Sequence, residues 1–197
     1  MAIKKKTVII VAVIIAFLGI IGVGSGYTVY LRVMAPNVAV QEDVSLYVKP
    51  TFNLDSILVQ TQKLQLFKND GSFEWWANRQ NLGSHLTAGR YVITPGMSNR
   101  EIVNLLMSGR QTPVNVTFNN IRTKADFAGR IGEQLIADSS DFVAYFDSSA
   151  YFSTLGLNKD NFMTIFIPNT YELYWNTDAF LLKTLVHKSI FFTKMKH

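Results

Sequence analysis

The most site-like local arrangement in the chain is one carboxylate set among aromatic side chains. Glu172 lies between Tyr171 and the pair Tyr174 and Trp175, directly after an apolar run and a polar turn at 168–170. A carboxylic acid kept protonated by apolar neighbours can act as a general acid, and aromatic faces suit sugar rings. The plainer interpretation is a surface glutamate after a turn, beside aromatic residues of the core. The residues alone leave both interpretations open.

Composition excludes several other kinds of site. The chain has no cysteine, so it has neither a disulfide framework nor a thiolate metal site. Its three histidines are too scattered in sequence to predict a zinc site. No phosphate loop, dinucleotide fingerprint or serine nucleophile elbow is present. We therefore expect no cofactor and no metal.

An apolar segment near the amino terminus predicts a membrane anchor. No charged side chain occurs from Thr7 to Leu31, whereas Lys4–Lys6 precede this run and Arg32 follows it. A bilayer core needs about 20 such residues in a helix, and the excess of lysines indicates a cytoplasmic amino terminus. A cleaved signal peptide, with small residues at 22–26, is the competing interpretation, but its apolar core would be only about 7–15 residues long.

The net charge of +5 belongs largely to this anchor. Lys4–Lys6 and Arg32 supply four of the nineteen basic residues, which leaves fifteen against fourteen acidic residues elsewhere. The basic balance is therefore no argument for a nucleic-acid partner.

The pattern after the anchor predicts an α+β fold. Alternation and capping residues indicate a strand at 44–48, a helix after Asn53, a helix at 72–80, a strand at 91–94, a helix from Ser98 to about Gly109, a strand at 114–118, a helix from about Thr123, and an apolar run at 162–167 that meets a turn at 168–170. Trp75 and Trp76 are open to two interpretations. They are either a pair that faces the membrane or a ligand, or residues that pack in the core.

Two segments resemble a known family. AGRYVITPGMSNREIVNLLMSGRQTPVNVTF, Ala88 to Phe118, is similar to the LysM-like part of the YceG/MltG endolytic murein transglycosylases. FMTIFIPNTYELYWNT, Phe162 to Thr177, resembles their signature around an apolar strand and a Pro-Asp-Thr-Tyr turn, in the variant form associated with Bacteroidetes. With the anchor before them, the resemblance extends to about Asp178.

The resemblance implies a domain order and an activity. The apolar run and its lysines predict a cytoplasmic tail at 1–6 and a transmembrane helix at 7–33. The resemblance implies a LysM-like module at 38–115 and the first part of a catalytic domain at 116–197. The activity would be lytic cleavage of nascent peptidoglycan glycan strands at the outer face of the inner membrane, with cell-wall synthases as further partners. One carboxylic acid would protonate the leaving oxygen while the sugar's own 6-hydroxyl closes an anhydro ring.

The site residues follow from the same resemblance, with two departures. Glu172 is the predicted catalytic acid, and the predicted substrate-binding residues are Asn169, Thr170, Tyr171, Tyr174 and Trp175. Met163 and Thr164 stand where the family has Glu-Gly, and Asn169 replaces the Asp of the turn. Phe180–His197 does not follow the family pattern, so we expect a truncated member. The alternative function is a non-catalytic, membrane-tethered protein that binds peptidoglycan or acts as a scaffold.

Overall fold

A computed structural model describes residues 5–118, 123–136, 140, 143–144 and 169–178 of the chain. The described part mixes helices and short strands, as the predicted α+β fold requires. The helices are α1 Lys5–Met34, α2 Leu54–Lys63, α3 Asp70–Arg79, α4 Leu82–His85, α5 Asn99–Ser108 and α6 Lys124–Gly132. The strands are β1 Val44–Val48, β2 Gly89–Ile93, β3 Val114–Phe118 and β4 Asn169–Leu173.

The chain packs into two compact units, each assembled from separate stretches of sequence. Unit 1 comprises 1–44, 53–86 and 93–108, and unit 2 comprises 45–52, 87–92 and 109–197. The predicted division into a LysM-like module and a catalytic part, at residues 115 and 116, stays a prediction.

In unit 1, the long helix α1 carries the predicted anchor. Val8–Met34 is long and apolar enough to cross a membrane, and its side chains before Val33 are exposed in this structure. Val33 is buried, because the end of α1 packs against α3 and α5. The apolar helix predicted at 7–33 is therefore present as one continuous helix.

Asparagine side chains cap the starts of α2 and α3, and α3 begins at Asp70, two residues before the predicted start at Ser72. Asn53 Oδ1 accepts a hydrogen bond from the Ser56 N–H at 2.9 Å, and Asn69 Oδ1 accepts one from the Ser72 N–H at 2.8 Å. These bonds satisfy N–H groups that lack a partner in the first helical turn. The core beneath the helices is made of the buried residues Val38, Ile57, Leu66, Phe67, Phe73, Ala77, Leu82, Ile93, Ile102, Val103 and Leu106.

Ser98 and Glu101 form a capping box at the start of α5. The Ser98 N–H and hydroxyl both donate to Glu101 Oε2, at 2.8 and 2.7 Å, and the Glu101 N–H returns a bond of 3.3 Å to Ser98 Oγ. These donors, the backbone N–H first, lower the pKa of the Glu101 carboxyl from its ordinary value.

Unit 2 contains two small two-stranded sheets and the helix α6. β1 pairs with β2, and β3 pairs antiparallel with β4. Thr123 caps α6 through a second capping box, in which Asp126 is the reciprocal partner. Among the described residues of this unit, the buried hydrophobic side chains are Leu46, Val48, Tyr91, Val116, Phe127, Ala128, Ile131, Leu135, Leu173 and Trp175.

The turn predicted at 168–170 is wrong for its last two residues. Asn169 and Thr170 belong to β4 and pair with Phe118 and Thr117. Asparagine and threonine favour turns when they act alone, but pairing with a neighbouring strand overrides that local preference. The predicted apolar strand at 162–167 lies outside the described residues.

Candidate functional site

The pairing of β3 with β4 creates an exposed polar face on the small sheet. Glu172 lies opposite Asn115, and Thr170 lies opposite Thr117. All four side chains are exposed, and the two threonine Oγ1 atoms lie 2.9 Å apart. We call these four residues the polar strand face; it carries the predicted catalytic acid and one predicted substrate-binding residue.

The opposite face of the same strands is apolar. Tyr171 lies opposite Val116 and is half-buried, and Leu173 is buried opposite Val114. Successive side chains of a strand point to opposite faces. Tyr171 therefore lies on the other side of the sheet from Glu172, although the two are adjacent in sequence.

The aromatic residues after β4 have different environments. Trp175 is only 9% exposed, and its ring packs on Tyr47 with centroids 5.0 Å apart at an angle of 58°. Its carbonyl oxygen accepts a hydrogen bond of 2.9 Å from the Ile136 N–H. Tyr174, in contrast, is 55% exposed. Trp175 is therefore a core residue of unit 2, whereas Tyr174 presents an aromatic surface to solvent.

The geometry thus brings together only some of the predicted site residues. Glu172 and Thr170 share the polar strand face, Tyr174 is exposed two residues beyond Glu172, and Tyr171 and Trp175 pack inward. Asn169 is the first residue of β4 and pairs with Phe118. The catalytic and substrate-binding roles of these residues stay predictions.

Two members of the polar strand face were not among the predicted site residues. Asn115 and Thr117 come from β3, whose alternating pattern already indicated which of its residues would point outward. No pattern in the residues indicates that β3 pairs with a strand more than fifty residues further along the chain. The partner strand, not the pattern, makes these two residues neighbours of Glu172.

A separate depression of about 410 Å³ lies beside α6 in unit 2. It is lined by small or apolar side chains together with one serine: Ala125, Ala128, Gly129, Ser140, Val143 and Ala144. None of these six described lining residues carries a carboxylate.

Comparisons with known proteins place the chain in a family. The model of the YceG-like family matches residues 46–194. A crystal structure of a protein assigned as YceG-like, from Listeria monocytogenes, matches with 16% sequence identity and a TM-score of 0.42, covering 80% of this chain and 57% of that chain. The present chain therefore spans less than two thirds of that protein's length. No curated protein matches the chain.

The family match also corrects one prediction. The resemblance is predicted to end near Asp178, because the lysines and phenylalanines of Phe180–His197 do not follow the family pattern. The match instead continues to residue 194. It covers well over half of the 197 residues, and the chain therefore belongs to the YceG-like family.

Proposed function

We propose that the chain is a membrane-anchored endolytic peptidoglycan transglycosylase, with α1 in the inner membrane and the other elements outside the cytoplasm. The observation that carries this proposal is membership of the YceG-like family over residues 46–194. The long apolar helix Val8–Met34, with lysines before it, supports the anchor and its orientation.

The polar strand face supplies groups that such a reaction can use. Glu172 would donate its proton to the glycosidic oxygen as the bond from N-acetylmuramic acid C1 to that oxygen breaks. The 6-hydroxyl of the same sugar would then bond to C1 and lose its proton to the Glu172 carboxylate. The acid is restored and no water is consumed, so a second catalytic carboxylate is not required.

Neighbouring groups of this face could position the glycan. Thr117 and Thr170 present hydroxyls, and Asn115 lies opposite Glu172 in the register. Sugar hydroxyls match such donors and acceptors. Tyr174, being more than half exposed, offers an aromatic surface for the C–H face of a sugar ring.

One observation favours the second candidate, a tethered glycan-binding protein without catalysis. Glu172 lies exposed on the sheet and is not enclosed by the aromatic residues next to it in sequence. Met163 also stands where the family has its usual glutamate. A surface with hydroxyls, an amide and one exposed tyrosine can bind glycan strands without cleaving them.

The test uses the full chain in nanodiscs with purified glycan strands. Mass spectrometry would detect 1,6-anhydro-N-acetylmuramic acid ends, and sedimentation would measure glycan binding. We expect Glu172→Gln to lower the rate of anhydro-end formation at least about 100-fold, as loss of a general acid does. Glu133→Gln, which neutralises another exposed acid of unit 2, is the matched control.

Each result separates the candidates. Unchanged formation of anhydro ends by the Glu172→Gln variant would remove Glu172 from the mechanism. Glycan binding by the unaltered chain, with no anhydro ends at any time, would replace the enzyme by the binding protein. If the unaltered chain neither cleaves nor binds glycan strands, the scaffold role is the function that remains.

A further inference from the structure

Two arginines from different helices both lie over the ring of Trp75, a residue of α3. The guanidinium carbon of Arg32, on α1, lies 5.7 Å from the centroid of the Trp75 ring. That of Arg79, on α3, lies 5.9 Å from the same ring. Arg100, on α5, donates from Nη1 to Met34 Sδ at 3.7 Å. We call these residues, Arg32, Trp75, Arg79 and Arg100, the junction cluster.

The junction cluster is held in place by a buried amide network. Asn99 Nδ2 donates to the Arg32 carbonyl oxygen at 2.7 Å and to Ser72 Oγ at 2.9 Å. Asn99 Oδ1 accepts from Asn37 Nδ2 at 2.8 Å. Asn99 is 1% exposed and Asn37 is 7% exposed. Buried polar groups that satisfy each other fix geometry, so the start of α5 and Ser72 of α3 are tied to the end of α1.

The length of α1 sets the depth of this cluster in a bilayer. From Lys6 to Arg32 the helix rises about 39 Å, at about 1.5 Å per residue. The hydrocarbon core is about 30 Å thick, and the headgroup layers extend it to about 40–45 Å. With Lys6 in one headgroup layer, Arg32 lies in the other, together with the Trp75 ring that it contacts.

The charges of the cluster have no acidic partner within the chain as described. No carboxylate among the described residues forms an ion pair with the guanidinium of Arg32, Arg79 or Arg100, and all three side chains are exposed. Guanidinium groups bind phosphate through paired N–H donors, and tryptophan favours the membrane interface.

We infer that the junction cluster binds the phosphate groups of anionic phospholipids in the bilayer that α1 spans. Unit 1 thereby rests on the membrane surface through α3 as well as being tethered by α1. The inference rests on the anchor of the proposed function but not on its catalysis.

Two measurements on the full chain test the inference. In the first, Trp76→Phe and Trp175→Phe leave Trp75 as the sole tryptophan, and the chain is placed in nanodiscs. Spin-labelled phosphatidylcholine then quenches its fluorescence from the headgroup or from mid-chain. We expect stronger quenching from the headgroup label, and protection from iodide in the aqueous phase.

In the second, native mass spectrometry counts the phosphatidylglycerol molecules that the chain retains when released from nanodiscs of phosphatidylcholine and phosphatidylglycerol. We expect Arg79→Gln to retain phosphatidylglycerol about fivefold more weakly, the effect of one basic residue near an anionic surface. Arg79→Lys should keep most of the retention. Lys63→Gln, which removes a charge at the exposed last turn of α2, should retain as much as the unaltered chain.

Carbonate washing of vesicles separates failure of the inference from failure of the anchor. A chain that stays in the membrane while Trp75 is quenched by iodide and not by headgroup labels would overturn the inference and leave the anchor standing. Equal lipid retention by Arg79→Gln and the unaltered chain would do the same. Release of the chain by carbonate would overturn both. Loss of glycan cleavage alone affects neither measurement.

Discussion

At the scale of single residues, Gly109 shows how one backbone angle ends a helix. It follows α5 with a φ of +66°, and a Cβ built there would lie 3.0 Å from Thr87 Cγ2. A side chain in this left-handed conformation costs roughly 1–2 kcal/mol. We expect Gly109→Ala to lower the free energy of unfolding by about that amount, measured by chemical denaturation in detergent micelles.

A matched glycine substitution controls for the loss of flexibility alone. Gly71 lies in the first turn of α3, where an added Cβ meets only Asn69 Oδ1 at an ordinary 3.6 Å. Gly71→Ala should therefore be neutral or slightly stabilising. Equal destabilisation by both substitutions would show that the angle at Gly109 is not the cause.

The capping carboxylate of Glu101 predicts how the stability of the chain changes at acidic pH. Its carboxylate accepts from the N–H and hydroxyl of Ser98, so its pKa is lower in the folded chain than the ordinary 4.5 of the unfolded chain. The stabilisation is complete above pH 4.5 and is lost as the pH falls through the folded pKa. We expect thermal melts between pH 7 and pH 3 to show a shallower loss of stability for Glu101→Gln than for the unaltered chain.

A second variant separates the two causes of this pKa shift. Ser98→Ala removes the hydroxyl but keeps the backbone N–H, the larger of the two contributions. Its loss of stability with acid should lie between those of the unaltered chain and Glu101→Gln. A profile for Glu101→Gln as steep as that of the unaltered chain would exclude the capping carboxylate as the source.

The predicted site marks the limit of sequence reasoning at this scale. Glu172 and its aromatic neighbours are contiguous in sequence, and this proximity suggested one pocket. β4 places Tyr171 on the opposite face from Glu172, and Trp175 packs on Tyr47, which is remote in sequence. The period of a strand could have separated the first pair, but only tertiary contacts could separate the second.

At the scale of elements, the junction of α1 with α3 and α5 depends on Asn99. Replacing it by alanine leaves buried partners at Asn37 and Ser72 with fewer hydrogen bonds, and an unmet buried polar group costs about 1–3 kcal/mol. We expect Asn99→Ala to lower the free energy of unfolding by about 2 kcal/mol in detergent. Asn104→Ala, at an exposed position of the same helix, should change it by less than about 0.5 kcal/mol.

A further measurement checks that this loss is local to the junction. Amide hydrogen exchange should speed up at the last turn of α1 and the first turns of α3 and α5 in Asn99→Ala, while α2 keeps its protection. Equal stability of the Asn99 and Asn104 variants would show that the buried network does not hold the helices together.

Elements whose signals are local could be predicted, and elements set by distant partners could not. The starts of α2, α5 and α6 follow from cap residues within three positions of the helix. The hydrogen bond between Asn37 and Asn99 joins residues 62 positions apart, and no pattern in the sequence predicts it. The same holds for Asn169 and Thr170, which pairing with β3 draws from a turn into a strand.

At the scale of the whole molecule, the proposed topology depends on three lysines. Lys4–Lys6 precede the apolar run, and only Arg32 follows it closely, so the amino terminus should stay in the cytoplasm. An alkaline phosphatase fused after His197, which is active only outside the cytoplasm, should then be active. A green fluorescent protein at the same position, exported in unfolded form, should remain dark.

Changing Lys4, Lys5 and Lys6 to glutamine tests the cause. Arg32 then becomes the only charged side chain close to either end of the apolar run, and its cytoplasmic preference favours the inverted orientation. We expect a fraction of the chains to invert, so that phosphatase activity falls and fluorescence appears. The same three changes combined with Arg32→Gln remove the bias from both ends and should restore part of the phosphatase activity. A fluorescent fusion of the unaltered chain would contradict the proposed topology, and with it the access of Glu172 to any glycan strand outside the cytoplasm.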